Sequence, residues 1–447
     1  MPAAPVRLEF ADDLFARRHR GLGSPVVNQW IWRLEEPYDA ARLAFVADGL
    51  ARGGLSRRLH RALIPGARDV WTNAGTPPAL ALSDRPLPAG RMAAWLEERH
   101  HDHVDPHEGR SWRLAATNLD DGTAVVSLIF GHAVADGGAV MDAVTRAALG
   151  SPLPLPPLSP HLAGRLAADA RDAAGQLAQI GRWGRARLRA RRSGTTAGRA
   201  AGSAAGSPTP PAEPASRAGD AWEAPRLVVE VGTDALAAVA ARHGGSTNSW
   251  FVAVMGRLMA AIGHVPADGG PVPVSLPLSD FRPGDTRSNS TRMTRVEVPR
   301  PVLEARDLAV VKALCKEAYA GLAAAGAGSA PIPLALVQML PDGLIARLPK
   351  PSGAACMASS LGILPDDYVH AFGDRVRSVV GLAAPQGASA QEVREIGCGL
   401  IAWVAAAGPR TTFTIIAAEP DRVADEAALR ALVLGELASW GLDTDPW

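Results

Sequence analysis

Apolar and polar positions alternate along the chain in two periods, one typical of strands and one typical of helices. The run at 124–130, AVVSLIF, is apolar at nearly every position and predicts a strand buried on both faces. An apolar-periodic segment at 139–149 follows and predicts a helix. Further strands are predicted at 26–34, 226–231, 271–277, 291–298, 376–382, 397–407 and 411–417. Further helices are predicted at 40–53, 91–99, 233–243, 244–263, 302–326, 333–340 and 424–440. This order predicts an α/β fold with mixed sheets and helices on their faces.

Two stretches interrupt the alternation. A proline-rich connector at 151–160 stops the helix before it, and an Ala-rich helical segment at 162–192 follows. Residues 191–221 are rich in Gly, Ala, Ser and Pro and predict a flexible linker. We therefore expect an N-terminal lobe at 1–190 and a C-terminal lobe at 222–447.

Composition narrows the class of protein. A chain of 447 residues with 47% hydrophobic content can bury a large core. Its 46 basic and 45 acidic residues give a net charge of +1, which argues against a nucleic-acid partner. Three cysteines without a CxxC pair, and the lack of a signal-peptide core or bilayer-length apolar run, favour a cytoplasmic protein. The basic end of the 162–192 segment fits a solvated helix end, and the alternative is a weak peripheral contact with an anionic membrane.

The candidate chemistry lies between the strand at 124–130 and its helix. His132 leaves the strand, Asp136 follows in HxxxD spacing, and Gly137 and Gly138 permit backbone conformations closed to other residues. A neutral imidazole at this position can act as a general base toward a hydroxyl or amine. Asp136 is better suited to hold the loop, and its charge needs a partner if it is buried. The alternative for His132 is a core histidine without chemistry.

The segment 104–138 resembles the HxxxD acyltransferase superfamily, closest to bacterial wax ester synthase/diacylglycerol acyltransferase-like proteins and related to condensation domains and chloramphenicol acetyltransferase. DPHEGRSWRL is similar to the family's "LDrsrPLWrl" element and keeps Trp112. In the HHxxxDG motif Gly131 replaces the first histidine, and His132 matches the second, catalytic one. ADDLF resembles the start of these proteins, and 244–263 resembles their "G.tvNDvvlaavagAlR" element, in which Asn248 is kept. A helix cap explains Asn248 equally well.

This resemblance implies two chloramphenicol-acetyltransferase-like lobes with an active-site tunnel between them. It implies acyl transfer from coenzyme A or a carrier-protein phosphopantetheine to a small-molecule alcohol or amine, with His132 as base and no bound cofactor or metal. It also implies an arginine partner for Asp136, for which Arg282 and Arg287 are the candidates. A small-residue strand lining the tunnel is expected at Ser359, Ser360 and Gly362.

Other interpretations stay open at this point. One is a stand-alone condensation enzyme of a natural-product pathway that uses carrier-bound substrates, and another is a non-catalytic relict of the fold. The histidines between 100 and 107 have a spacing that matches no known zinc site, so we expect a solvated helix end there.

Overall fold

The computed structural model describes residues 5–75, 80–192, 222–266, 269–324, 333–347 and 356–447, so most of the expected linker lies outside the described residues. The strands are β1 (Val6–Arg7), β2 (Val26–Leu34), β3 (Arg57–His60), β4 (Val70–Asn73), β5 (Leu80–Leu82), β6 (Trp112–Asn118), β7 (Ala124–Gly131), β8 (Arg226–Gly232), β9 (Val272–Ser279), β10 (Thr291–Val298), β11 (Cys356–Ile363), β12 (Val376–Pro385), β13 (Leu400–Ala407), β14 (Arg410–Ala417) and β15 (Asp445–Pro446). The helices are α1 (Phe10–Arg18), α2 (Ala40–Arg52), α3 (Met92–His100), α4 (Gly137–Ala148), α5 (Leu162–Arg192), α6 (Thr233–Arg242), α7 (Thr247–Ala261), α8 (Arg300–Ala305), α9 (Leu308–Ala324), α10 (Leu334–Met339), α11 (Asp342–Ile345), α12 (Asp366–Val369), α13 (Ala390–Ile396) and α14 (Glu426–Ser439).

Two large mixed sheets carry the fold, which confirms the predicted α/β class. One has the strand order β12-β2-β7-β6-β5, and the other has the order β10-β9-β11-β13-β14-β8-β15. β7 is buried at all of its positions, as its continuous apolar run predicts, because β2 and β6 flank it and helices cover it. A small sheet, β1-β4-β3, lies beside them.

The C-terminal half of the chain contributes a strand to the N-terminal sheet. β12 pairs antiparallel with β2 along almost its whole length, from Val376 opposite Leu34 to Pro385 opposite Val26. The segment before β12 also packs on this half, where Tyr368 and Phe372 contact the ring of Trp32. The predicted division of the chain at residue 222 does not include this crossing of β12 into the N-terminal sheet. Because of it, one continuous core contains residues of both halves.

The second sheet opens between two of its strands. β11 runs parallel to β13 over most of its length but meets β9 at a single register pair, Met357 opposite Ser275. The far end of β11 carries a register shift between Ser360 and Gly362. No other register pair joins these two strands, and the end of each lies near the loop that follows β7.

One predicted helix differs from the observed structure. The single helix expected at 302–326 is two helices, α8 and α9, because Arg306 adopts a left-handed backbone (φ 54°) and ends α8. Asp307 then accepts a hydrogen bond from the Val310 amide and starts α9. α5 matches its prediction, and its first half is tied down by Asp169 to Arg7 (2.6 Å) and by Asp172 to Arg68 (2.9 Å). No helix of the described residues is long and apolar enough to cross a membrane.

Candidate active site

The loop that carries His132 is fixed at both ends. The His132 amide donates to the Val26 carbonyl (2.9 Å) on β2, and the Val134 amide donates to the Gly131 carbonyl (2.8 Å). α4 begins directly after Asp136, whose Oδ1 accepts from the Ala139 amide (3.0 Å) as an N-cap. The strand exit, the loop and the helix start therefore follow the pattern that the sequence predicts.

The two glycines of the motif are needed for space. Both Gly137 and Gly138 are the first residues of α4 and have helical backbones, so the expected conformational freedom is not used. A Cβ at Gly138 would lie 2.6 Å from Cβ of Phe281 and 2.9 Å from Oγ of Ser279, and a Cβ at Gly137 would lie 3.3 Å from Leu361. The ends of β9 and β11 can approach the loop only because these positions lack side chains.

Asp136 is held by neutral donors. It is 3% exposed, and its Oδ2 accepts from the Ser290 amide (2.8 Å), the Ser290 hydroxyl (3.2 Å) and the Thr291 hydroxyl (2.8 Å). The expected arginine pair is not formed: Arg287 binds Asp285 and Asp280, and Arg282 is exposed, so neither meets Asp136 in the described part of the chain. Arg287 pairs with Asp285 instead, because two residues that are two positions apart lose little conformational entropy when they pair.

A different arginine supplies positive charge to the site. Arg57 is buried on β3 and donates to the Gly54 carbonyl (2.6 Å) and the Thr286 carbonyl (3.0 Å). Burial lowers the pKa of its guanidinium, and the charges of Asp12 and Asp136 oppose that shift. Since a guanidinium stays protonated in proteins, Arg57 balances the buried carboxylates through space and without direct contact with Asp136.

The His132 ring is half-buried and stacks on Phe15 of α1, with ring centroids 4.0 Å apart and planes 13° from parallel. Its Nδ1 is buried and has no hydrogen-bond partner among the described residues. Burial lowers the pKa of the imidazole, while the carbonyl of His132 itself, the charge of Asp136 and the side chain of Asn289 act in the opposite direction. The ring is therefore neutral at pH 7, which is the form that accepts a proton.

Asn289, which the sequence analysis did not single out, connects this loop to α1. Its Nδ2 donates to the His132 carbonyl (2.9 Å) and to Oδ1 of Asp12 (2.8 Å). Burial raises the pKa of Asp12 to about 7, against the opposing effects of Asn289, the Glu9 amide, Arg57 and Trp71. Asn289 lies just before β10 and Asp12 lies in the ADDLF segment, and nothing in the sequence pattern indicates that they touch.

Gly131, in the place of the first motif histidine, faces another imidazole. A Cβ at Gly131 would lie 3.4 Å from Nε2 of His19, at the end of α1. His19 Nε2 is buried, and no described residue bonds to it. The ring of His19 thus lies beside the position from which the missing side chain would start.

The other predicted residues lie farther from the motif loop or act differently. Asn248 is not the cap of α7, because Ser246 holds that position in a capping box with Ser249. Burial raises the pKa of Tyr319 on α9, and the Asn248 side chain opposes that shift. Ser359, Ser360 and Gly362 lie on β11, and Leu361 between them makes the contact with the loop.

The histidine tract is a solvated helix end only in part, because His101 and His103 are exposed but His100 is not. His100 is fully buried at the end of α3, and burial lowers its pKa to about 3. His101 bonds to Glu97 and Glu223, His103 bonds to Glu108, and His107 approaches the Ala16 carbonyl. The four imidazoles therefore have different neighbours and do not act as one group.

We expect Asn289→Ala to lower the free energy of unfolding by about 1–3 kcal/mol, because the His132 carbonyl and Asp12 lose a buried donor. Turnover should fall about tenfold or more as His132 loses its support. Chemical denaturation and steady-state rates measure the two effects. Ser288→Ala is the matched control, since the neighbouring Ser288 hydroxyl is buried and bonds to nothing in the described chain; equal losses in both variants would contradict the role of Asn289.

The lowered pKa of His132 also predicts a pH profile. A general base works in its neutral form, so kcat/KM should stay constant down to a pH below about 6.5 and fall as the ring gains a proton. Phe15→Ala exposes the ring to water and should move this acid limb toward pH 6.5. Rates between about pH 5 and pH 8 test both statements. An acid limb that Phe15→Ala leaves in place would contradict burial as the cause.

Comparison with known proteins identifies the fold. No family model matches the chain, and no curated protein matches it. The first condensation domain of the calcium-dependent antibiotic synthetase, in complex with a substrate analogue, is 17% identical and covers 98% of this chain and 97% of its own, with a TM-score of 0.56. The starter condensation domain of rhizomide synthetase, in complex with C8-CoA and Leu-SNAC, is 14% identical. The match covers 98% of this chain and 94% of that domain, with a TM-score of 0.52. The wax ester synthase/diacylglycerol acyltransferase from Marinobacter aquaeolei VT8 is 14% identical. The match covers 98% of this chain and 100% of that protein, with a TM-score of 0.52. The chain therefore has the fold that condensation domains share with wax ester synthase, which confirms the resemblance at the level of fold.

Proposed function

We propose that this chain is an acyltransferase, which moves an acyl group from a thioester to a hydroxyl or amine and forms an ester or amide. The observation that carries the proposal is His132: a neutral imidazole, stacked on Phe15 and supported through its carbonyl by Asn289, at the exit of a buried strand. The fold supports it, since the similar structures are condensation domains and a wax ester synthase. We assign the reaction to Nε2 because Nδ1 is buried.

In the proposed reaction the acceptor oxygen or nitrogen attacks the acyl carbon while Nε2 of His132 takes the acceptor's proton. The carbon–sulfur bond then breaks, and the leaving thiolate takes that proton from the imidazolium, so a free thiol is released and His132 returns to its neutral form. Asp136 and Asn289 keep the loop in place during this cycle. Because the acceptor attacks directly, the reaction needs no acyl-enzyme.

Two donor classes remain within the proposal. Coenzyme A is one, and the rhizomide domain was solved with C8-CoA and Leu-SNAC. An acyl or peptidyl carrier protein is the other, which would make this chain a condensation enzyme acting on carrier-bound intermediates. The likeness to the condensation domain of an antibiotic synthetase favours testing both.

Free-thiol release tests the proposal. Short- and long-chain acyl-coenzyme A, acyl-N-acetylcysteamine and acyl-phosphopantetheinyl carrier donors are each offered with mixed alcohols and amines. We expect thiol release that requires an acceptor, with ester or amide found by mass spectrometry. Release that is equal without an acceptor would indicate hydrolysis, and silence with all three donor types in folded protein would contradict acyl transfer.

A further inference from the structure

A cavity of about 560 Å³ lies between the two large sheets, lined by residues other than those of the motif loop. β2, β12 and α3 form one wall, and β8 with Trp447 forms the other. Its interior is mostly apolar, with Ile31, Val228 and Leu382 exposed to it. Volume and lining fall in the range of small-molecule sites, so the cavity is large enough for an organic ligand.

A buried amide aims an acceptor into this cavity. Gln29, on β2, is 1% exposed and lines the cavity. Its Nε2 donates to the Leu96 carbonyl (2.9 Å) and bonds the Ser127 hydroxyl (3.0 Å), which uses both of its hydrogens. The Leu96 carbonyl can only accept, so the amide cannot be turned around. Gln29 Oε1 is thereby fixed, and no described residue donates to it.

The mouth of the cavity carries excess negative charge. Four acidic side chains line it, against one arginine: Glu97, Glu223, Asp425 and Glu426 against Arg226. Burial raises the pKa of Glu97, and the nearby Glu223 adds to that shift while Arg226 opposes it. Arg226 donates to Glu97 (2.8 Å) and lies 3.9 Å from Glu223, and His101 bonds to both carboxylates. Asp425 and Glu426 form no ion pair with a described residue, so the excess negative charge comes mainly from these two side chains.

We propose that this cavity binds a primary alkylammonium ion, with its chain against Ile31, Val228 and Leu382 and its N–H groups meeting Gln29 Oε1 beside the acidic mouth. The fixed acceptor and the acidic mouth disfavour anions. The apolar walls favour a cation that carries an alkyl chain over a bare metal ion. No residue of the motif loop lines this cavity, so it is a binding site apart from the proposed base His132.

Calorimetric titration of the full chain with n-octylammonium tests this proposal, with n-butylammonium and n-octanoate as comparison ligands. We expect octylammonium to bind, butylammonium to bind at least about tenfold more weakly because fewer methylenes are buried, and octanoate not to bind. Ala93→Trp fills the cavity from an exposed helical position and should weaken binding at least about tenfold. Gln29→Leu should also weaken it about tenfold, because it removes the fixed acceptor.

Glu223→Gln should weaken binding about threefold, and Glu98→Gln, an exposed neighbour outside the cavity, is its matched control. Ala93→Trp keeps the test decisive if Gln29→Leu is unstable. No binding of octylammonium, equal binding of octanoate, or an affinity that Ala93→Trp leaves unchanged would each overturn the proposal. His132→Ala should bind octylammonium as the wild type does, whether or not the chain transfers acyl groups.

Discussion

His132→Ala is expected to lower the turnover of thioester-dependent acyl transfer by about two to four powers of ten, the contribution typical of a positioned general base. Without the imidazole, the attacking hydroxyl or amine must lose its proton to water. The hydrogen bond from Asn289 to the carbonyl of residue 132 remains in the alanine variant, and the loss of the ring removes only its packing against Phe15. The effect should therefore appear in kcat far more than in stability.

The measurement compares rates of thiol release with the free energy of unfolding for the same variant. His103→Ala is the matched control, because His103 is an exposed histidine whose side chain bonds only to Glu108 in the described chain. We expect the control to keep the wild-type rate. A His132→Ala protein that is folded and fully active would remove the histidine from the mechanism, and a loss of rate equal to that of His103→Ala would indicate a general loss of structure.

The sequence predicted the parts of the site that depend on neighbouring residues. The apolar run of β7 predicts a buried strand, the HxxxD spacing places Asp136 at the start of α4, and both are observed. Such features depend on the local period of apolar positions and on a cap that follows directly along the chain. His132 and Asp136 were found for this reason.

Contacts between distant segments could not be predicted in this way. Asn289 and Asp12 are 277 positions apart, and their hydrogen bond exists only because β10 and α1 meet at the motif loop. The pairing of β12 with β2 is equally invisible to a local pattern. For Asp136 the resemblance led to Arg282 and Arg287, whereas hydroxyl and amide groups at 290–291 occupy that position. The charge of a side chain does not by itself show which donor contacts a buried carboxylate.

The contacts of Asp136 lead to the second large prediction. Asp136→Asn should lower the free energy of unfolding by about 1–3 kcal/mol, although the two side chains have nearly the same shape. Each carboxylate oxygen accepts from a backbone amide, Oδ1 from Ala139 and Oδ2 from Ser290. An asparagine has one acceptor oxygen, so in either orientation its NH2 group faces an amide N–H. The hydroxyls of Ser290 and Thr291 can rotate and accept, but an amide cannot.

Turnover should fall by about a hundredfold in Asp136→Asn, since a loop displaced by about 1 Å moves His132 away from its substrate. Asp39→Asn is the matched control: Asp39 caps α2 with a single oxygen, which accepts from Ala41 and Arg42, and asparagine keeps that oxygen. Denaturant unfolding and thiol release should therefore separate the two variants. If both lose the same stability, the role of Asp136 is that of an ordinary cap. If Asp136→Asn loses neither stability nor rate, the paired amides do not require a carboxylate, and the loop is held by its backbone bonds to Val26 and Ser288.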